Sequence, residues 1–253
     1  AECSLAISFA PLFQGHSTDC VDGDYHSDYQ EALPIHLSEN PGRARCFVDC
    51  GAPLPEYEVE IRGDDGSVLP DRLSGSIFVR GPSVMSGYFN APDETAAALS
   101  EDGWLNTGDV GYRVDGSLIV TGRKKDLIII NGRNIWPQDL EYLAEHQPEV
   151  RIGDALAFSV PNPKGDEICV LVVQCRESDP VKRTSLIDRL NRLVHMELGI
   201  DVFVELVPLH TLPRTSSGKL SRSKARQNFI QSHDLARLSE QMVDELELKQ
   251  GSV

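Results

Sequence analysis

After Gly122 the apolar residues of this chain change their period, and that change limits the fold more than any other feature of the sequence. From Glu56 to Gly122 there are short alternating segments, among them Tyr57–Ile61, Gly75–Arg80 and Ser117–Thr121. They are punctuated by Gly63-Asp64-Asp65-Gly66 and by Asp115-Gly116. Alternation puts apolar groups on one face of a strand, and Asp-Gly favours a tight hairpin. This stretch therefore predicts a small antiparallel sheet or barrel. Beyond Gly122 strands alternate with helices. The pattern predicts strands at Leu127–Ile130, Ala155–Val160, Ile168–Cys175 and Val202–Val207, with helices over Pro137–His146 and Val181–Met196. A proline suits a first helical turn. The order is β-α-β-β-α-β, followed by a helical tail from about Ser221 to Leu248.

The fold class expected is α+β: a β-rich subdomain over residues 1–123, then a two-layer α+β domain over 124–253 with a helical tail, the boundary falling near Arg123 to Asp126. Charge divides the same way. Residues 1–123 carry 7 Lys and Arg against 20 Asp and Glu, whereas 124–253 carry 17 against 19. An acidic first half repels a phosphate backbone, so nucleic acid is not an expected partner. The local basic run Lys219–Arg226, with Arg222, Lys224 and Arg226 after Lys219, reads as a solvated helix face or as a surface for an acidic partner.

No apolar run approaches the roughly 20 residues of a membrane span, and a cytoplasmic location is expected. The apolar start lacks the basic front and cleavage site of a signal peptide. It also lacks an initiating Met, as expected of a segment from within a longer protein. Residues 11–50, rich in Asp, His, Ser and Gly, predict a long, mostly irregular connection. The six cysteines, at 3, 20, 46, 50, 169 and 175, show no paired CxxC spacing. Cys46 and Cys50 near His36 have three residues between them and no second pair, which does not suit a tetrahedral zinc site. No disulfide is expected.

Three motifs carry chemistry. The first is Trp104-Leu105-Asn106-Thr107-Gly108-Asp109, where a carboxylate at a Gly turn suits a ribose diol. The second runs from Gly122-Arg123-Lys124-Lys125-Asp126 through Asn131-Gly132-Arg133-Asn134 to Pro137-Gln138-Asp139. The third is Leu212-Pro213-Arg214-Thr215-Ser216-Ser217-Gly218-Lys219. In order and separation they resemble the adenylate-forming superfamily of acyl-CoA synthetases, luciferases and peptide-synthetase adenylation domains. Gly75–Tyr88 resembles the superfamily's strand-and-turn motif upstream of Thr-Gly-Asp, and Ala1-Glu2 the end of its Tyr-Gly-x-x-Glu motif. The finer pattern at Lys125–Ile130 and Gly132–Asp139 resembles the fatty acyl-AMP ligase branch, although Ile135-Trp136 departs from it.

The resemblance implies the carboxy-terminal half of an enzyme that activates a fatty or other carboxylic acid with ATP and transfers the acyl group to a thiol. Lys219 would serve catalysis. Asp109, Arg123, Thr107 and Gly108 would bind ATP and AMP, Lys125 would be a hinge, and Gly132, Arg133 and Asn134 would face the adenylate during transfer. Glu2 would help hold Mg2+ on the phosphates. No tightly bound organic cofactor is implied. The acceptor would be an acyl carrier protein, with coenzyme A as the alternative. The superfamily's Ser/Thr/Gly-rich phosphate loop does not occur in these 253 residues, so a non-catalytic carrier-binding module is the alternative of another class. His195 and His210 join no Ser or Cys nucleophile and read as structural or exposed.

Overall fold

The computed structural model describes residues 2–3, 6–13, 15–39, 42–130, 132–162, 166–216 and 218–238. The chain divides into two compact units, Ala1–Lys125 and Asp126–Val253.

The first unit contains β1 (Ser8–Phe9), β2 (Thr18–Asp22), α1 (Gly23–Tyr29), β3 (Ala44–Val48), β4 (Ala52–Pro53), β5 (Glu58–Arg62), β6 (Gly75–Arg80), α2 (Pro92–Ala98), β7 (Leu105–Val114) and β8 (Ser117–Arg123). Its main sheet is open, antiparallel and ordered β5-β6-β7-β8, rather than a barrel. Alternation accounts for its core: Val59 and Ile61 pair with Val79 and Ile77, and all four are buried with Leu118. On the opposite face the Arg62 guanidinium lies 4.4 Å from the Phe78 ring centroid and 4.8 Å from that of Trp104. These aromatic rings attract the cation through their negative faces. The β7–β8 connection is the two-residue Asp115-Gly116 turn, both residues having positive φ, which matches the twist of the strands it joins.

Residues 11–50 lie mostly outside regular elements, as expected, but they contain one antiparallel strand pair, β2 with β3, and the helix α1 between them in sequence. Their Asp and Arg residues obscure the strand pattern but find tertiary partners. Asp19 accepts hydrogen bonds from the Tyr112 hydroxyl at 2.7 Å and from Arg72, and Asp22 pairs with Arg43. Asp22 also caps α1 by accepting from the Tyr25 amide at 3.2 Å. Contrary to the expectation of no disulfide, Cys20 and Cys46 are directly opposed in the β2–β3 register, with Cα atoms 4.0 Å apart, and are disulfide-bonded. Register brings together sulfurs that lie 26 residues apart in sequence. The bridge also removes Cys46 from any metal site with Cys50 and His36.

The second unit contains β9 (Ile128–Ile130), β10 (Arg133–Ile135), α3 (Pro137–Glu145), β11 (Ala155–Pro161), β12 (Glu167–Gln174), α4 (Pro180–Leu198), β13 (Phe203–Val207) and α5 (Arg222–Ser232). The expected strand–helix order holds, with β10 added as the return strand of a hairpin with β9. The main sheet is ordered β11-β12-β13, antiparallel then parallel. One face packs on Leu140 of α3 and on Leu186, Leu190 and Val194 of α4. Full burial of each such leucine contributes roughly 2 kcal/mol. The other face packs on Ala225 and Phe229 of α5, the first part of the tail. Residues of β12 from Ile168 to Gln174 are buried because both faces are covered. The tail expected beyond residue 238 lies outside the described residues.

Candidate functional site

Thr107, Gly108 and Asp109 lie within β7, where its pairing with β6 is interrupted: Ser76 opposes Val110 and Phe78 opposes Asn106. Four residue steps on β7 thus face two on β6, and the intervening residues bulge from the ladder. Gly108 accommodates the bulge with φ of 72°, a conformation that a Cβ disfavours. The Thr107 hydroxyl donates to the Ile77 carbonyl at 2.9 Å and accepts from the Asp109 amide at 3.1 Å. One side chain therefore ties the bulge to β6 and orients Asp109. Across the β7–β8 pair, Arg123 is the register partner of Asp109, and its Nε donates to Oδ1 at 2.8 Å. The pair remains open to solvent, with a third of the carboxylate side chain and half of the arginine side chain exposed.

Glu2 belongs to the same unit. Its Oε1 accepts from the Tyr88 hydroxyl at 3.2 Å, and its carbonyl accepts from the Met85 amide at 2.8 Å. Hydrogen bonding to its own backbone amide is the largest influence holding the carboxyl below its ordinary range. Burial and the neighbouring Glu2 carboxylate raise the Tyr88 hydroxyl above its ordinary range, opposed by the charge of Arg123. Tyr88 has a place here that no reading of isolated residues assigned. Its signal was its position at the end of the Gly75–Tyr88 motif. Among the described residues no group of three or more His, Cys, Asp or Glu side chains is arranged to hold a metal ion. A cation at Glu2 would have to draw ligands from a bound phosphate as well, a common arrangement for Mg2+.

Lys125 is exposed in the 3-10 turn Lys124–Asp126, at the end of the first unit. Gly132 forms the β9–β10 turn with φ of 76°. Arg133 donates at 2.8 Å to the carbonyl of Leu198, the last residue of α4, and so satisfies a helix end. Gly199 suits that contact twice: its φ is 64°, and a Cβ there would stand 2.6 Å from an Arg133 nitrogen. Asn134 is half-buried in β10, opposite Ile129. Ile135 and Trp136, where the sequence departs from the fatty acyl-AMP ligase pattern, are both buried.

Lys219 lies at the end of a tight loop in the second unit. The Thr215 amide donates to the Lys219 carbonyl at 2.7 Å, and the Gly218 amide donates to the Thr215 carbonyl at 2.9 Å. Arg214 donates to the Gly218 carbonyl at 2.9 Å. The backbone is thus fixed while the Lys219 side chain stays exposed. Ser217 lies outside the described residues. The basic run that follows is not uniformly solvated, because Arg222 is paired with Asp126 and Glu141 and Arg226 donates to the Ser159 carbonyl at 2.7 Å. His195 is exposed and faces Asp201, and His210 is exposed.

The structure therefore groups Glu2, Thr107, Gly108, Asp109 and Arg123 in one unit and Gly132, Arg133, Asn134 and Lys219 in the other. A carboxylate beside a guanidinium suits a ribose and phosphate, and an exposed lysine on a braced loop suits a polyanion.

The profile of the AMP-binding enzyme family matches residues 30–89. A putative acyl-CoA synthetase of Caulobacter vibrioides is 48% identical over 231 residues, covering 91% of this chain and 40% of that protein. The medium-chain-fatty-acid–[acyl-carrier-protein] ligase JamA of Moorena producens is 35% identical over 210 residues, covering 78% of this chain and 35% of that protein. A solved structure from work on fatty acyl-adenylate ligases of E. coli and L. pneumophila is 42% identical with a TM-score of 0.81, and covers 90% of this chain and 40% of that one. The chain spans about two fifths of the length of these relatives. By sequence and fold, it belongs to the adenylate-forming superfamily, among homologues that are fatty acyl-AMP ligases, acyl-CoA synthetases and adenylation domains.

Proposed function

We propose that this chain is the carboxy-terminal part of a fatty acyl-AMP ligase, which joins a fatty acid to AMP at the expense of ATP and hands the acyl group to the thiol of an acyl carrier protein. The observation that carries this reading is the bulge that sets Asp109 beside Arg123 while leaving both open to solvent. Asp109 accepts hydrogen bonds from the ribose hydroxyls, and Arg123 orients that carboxylate and contacts ribose or phosphate. The carboxylate oxygen of the acid attacks the α-phosphorus and pyrophosphate leaves, so negative charge gathers on the phosphorus centre. The Lys219 ammonium stabilises that charge, an effect worth most in the transition state. Glu2 would hold Mg2+ together with phosphate oxygens, and the ion would supply charge neutralisation on the triphosphate. Lys125 is the hinge about which the residues that follow it swing after adenylation, and the Gly132–Asn134 turn then faces the adenylate and the incoming thiol.

Coenzyme A as acceptor is the second reading, favoured by the 48% identity to a protein named as a putative acyl-CoA synthetase. Product analysis separates the two. The full-length enzyme, given ATP, a fatty acid and either phosphopantetheinylated carrier protein or free coenzyme A, is expected to release pyrophosphate with both but to form thioester rapidly only with the carrier. Rapid acyl-CoA formation would replace the carrier reading with the second one. Absence of any acyl-AMP or pyrophosphate would contradict both.

A further inference from the structure

We propose that Arg222 is a positioning residue for adenylation: it locks the Lys219 loop to Asp126, the first residue of the second unit, so that the lysine follows the Lys125 hinge without lag. This inference rests on the adenylation role assigned to Lys219 above.

Arg222 stands three residues after Lys219 and opens α5. Its side chain is only 17% exposed and reaches three separate parts of the unit. It donates to Asp126 Oδ2 at 2.9 Å, to Glu141 Oε1 of α3 at 2.6 Å and, through Nε, to the Ala157 carbonyl of β11 at 2.8 Å. Glu141 Oε1 also accepts from the Ala157 amide at 2.9 Å, so that residue of β11 engages the cluster through both backbone polar groups. Local helix chemistry does not explain an arginine here. The first turn of a helix favours acids because its amides point outward, yet that of α5 contains none, and Ser221 makes no side-chain capping bond. The tertiary partners explain it: a planar fork of donors spans three acceptors in a way a lysine does not.

The loop's other tethers, from Arg214 to the Gly218 and Gly153 carbonyls, hold its shape and its approach to the turn before β11. Among the described residues, only Arg222 joins this region to the residue that follows the hinge. The transfer-pose residues do not depend on that link. Gly132–Asn134 follow Asp126 within the hairpin and are tied to α4 through Arg133. Loss of Arg222 is therefore expected to misplace the lysine and spare the transfer turn.

The test compares half-reactions in the full-length enzyme, with thermal unfolding to confirm the folded state. Arg222→Gln is expected to lower kcat for ATP–pyrophosphate exchange by at least ~10-fold, since small errors of position cost about that much or more. KM for ATP and for the acid should be unchanged, and thiol transfer from supplied acyl-AMP retained. Arg222→Lys should recover part of the loss. Should Arg222→Gln not fold, Asp126→Asn cuts the same link and is expected to give the same split. Wild-type exchange in the folded variant, or equal losses in both half-reactions, overturns the proposal. Lys219→Ala runs in parallel and separates the two failures: normal exchange in that variant overturns the lysine assignment and the Arg222 inference with it, whereas lost exchange there with wild-type exchange in Arg222→Gln overturns the Arg222 inference alone.

Discussion

His26 is almost fully buried in α1, with its Nε2 2.7 Å from the Ser74 hydroxyl and its ring beside Phe47 and Tyr112. Its Nδ1 has no hydrogen-bond partner among the described residues. Desolvation, helped by the charge of Arg45, pushes its pKa down to about 4 from 6.5. Between those values the unfolded chain takes up a proton that the folded chain refuses. Stability therefore falls as pH drops from 6.5 toward 4, by roughly 3 kcal/mol from this group. Thermal unfolding of wild type and His26→Gln across that range should show curves that converge toward acid, because the exposed carboxylates titrate in both proteins alike. Parallel curves would contradict the assignment. None of this is visible in the sequence, where His26 lies in a polar stretch and its partners Ser74 and Tyr112 lie far along the chain. Asp109 and Lys219 are proposed from the sequence because each stands in a motif whose neighbours constrain its role. Tyr88 and Arg222 stand within or beside motif segments, but their hydrogen-bond partners Glu2 and Asp126 lie 86 and 96 residues away.

At the scale of elements, legibility follows burial. Strands β5, β6 and β8 and helices α3 and α4 each turn a regular apolar face to a core, so their period survives in the sequence. The β2–β3 pair does not, because its acids are neutralised by arginines and a tyrosine from elsewhere and its cysteines are joined across the register. The β7 bulge is intermediate: Gly108 announces a turn, but only pairing with β6 shows that the turn interrupts a strand. Two glycines of the β7–β8 hairpin make a controlled comparison. Gly108 and Gly116 have φ of 72° and 84°, and a Cβ at either would meet nothing within 4 Å. Alanine at either position should cost about 1–2 kcal/mol in unfolding free energy, from backbone conformation alone. Of the two, only Gly108→Ala should also raise KM for ATP, because Gly108 adjoins Asp109 in the bulge and Gly116 does not. Equal effects on KM from both variants would remove the bulge from the nucleotide site.

For the whole molecule, the two compact units meet in sequence at Lys125 and Asp126, close to the point where apolar period and charge density change. An acidic sheet subdomain and a mixed helix–sheet unit have different surfaces and cores, which is why the sequence changes character there. The proposed machinery is shared between them, with the nucleotide-holding carboxylate in the first and the mobile cation in the second. This division predicts that the two half-reactions use different parts of the chain. The direct test is Lys219→Ala in the full-length enzyme, assayed separately for ATP–pyrophosphate exchange and for thiol transfer from purified acyl-AMP. Exchange should fall by about 10²–10³-fold, the size of effect expected for a lost transition-state charge partner, while transfer stays near wild type. Exchange at the wild-type rate, or a parallel loss of transfer in folded enzyme, would contradict it.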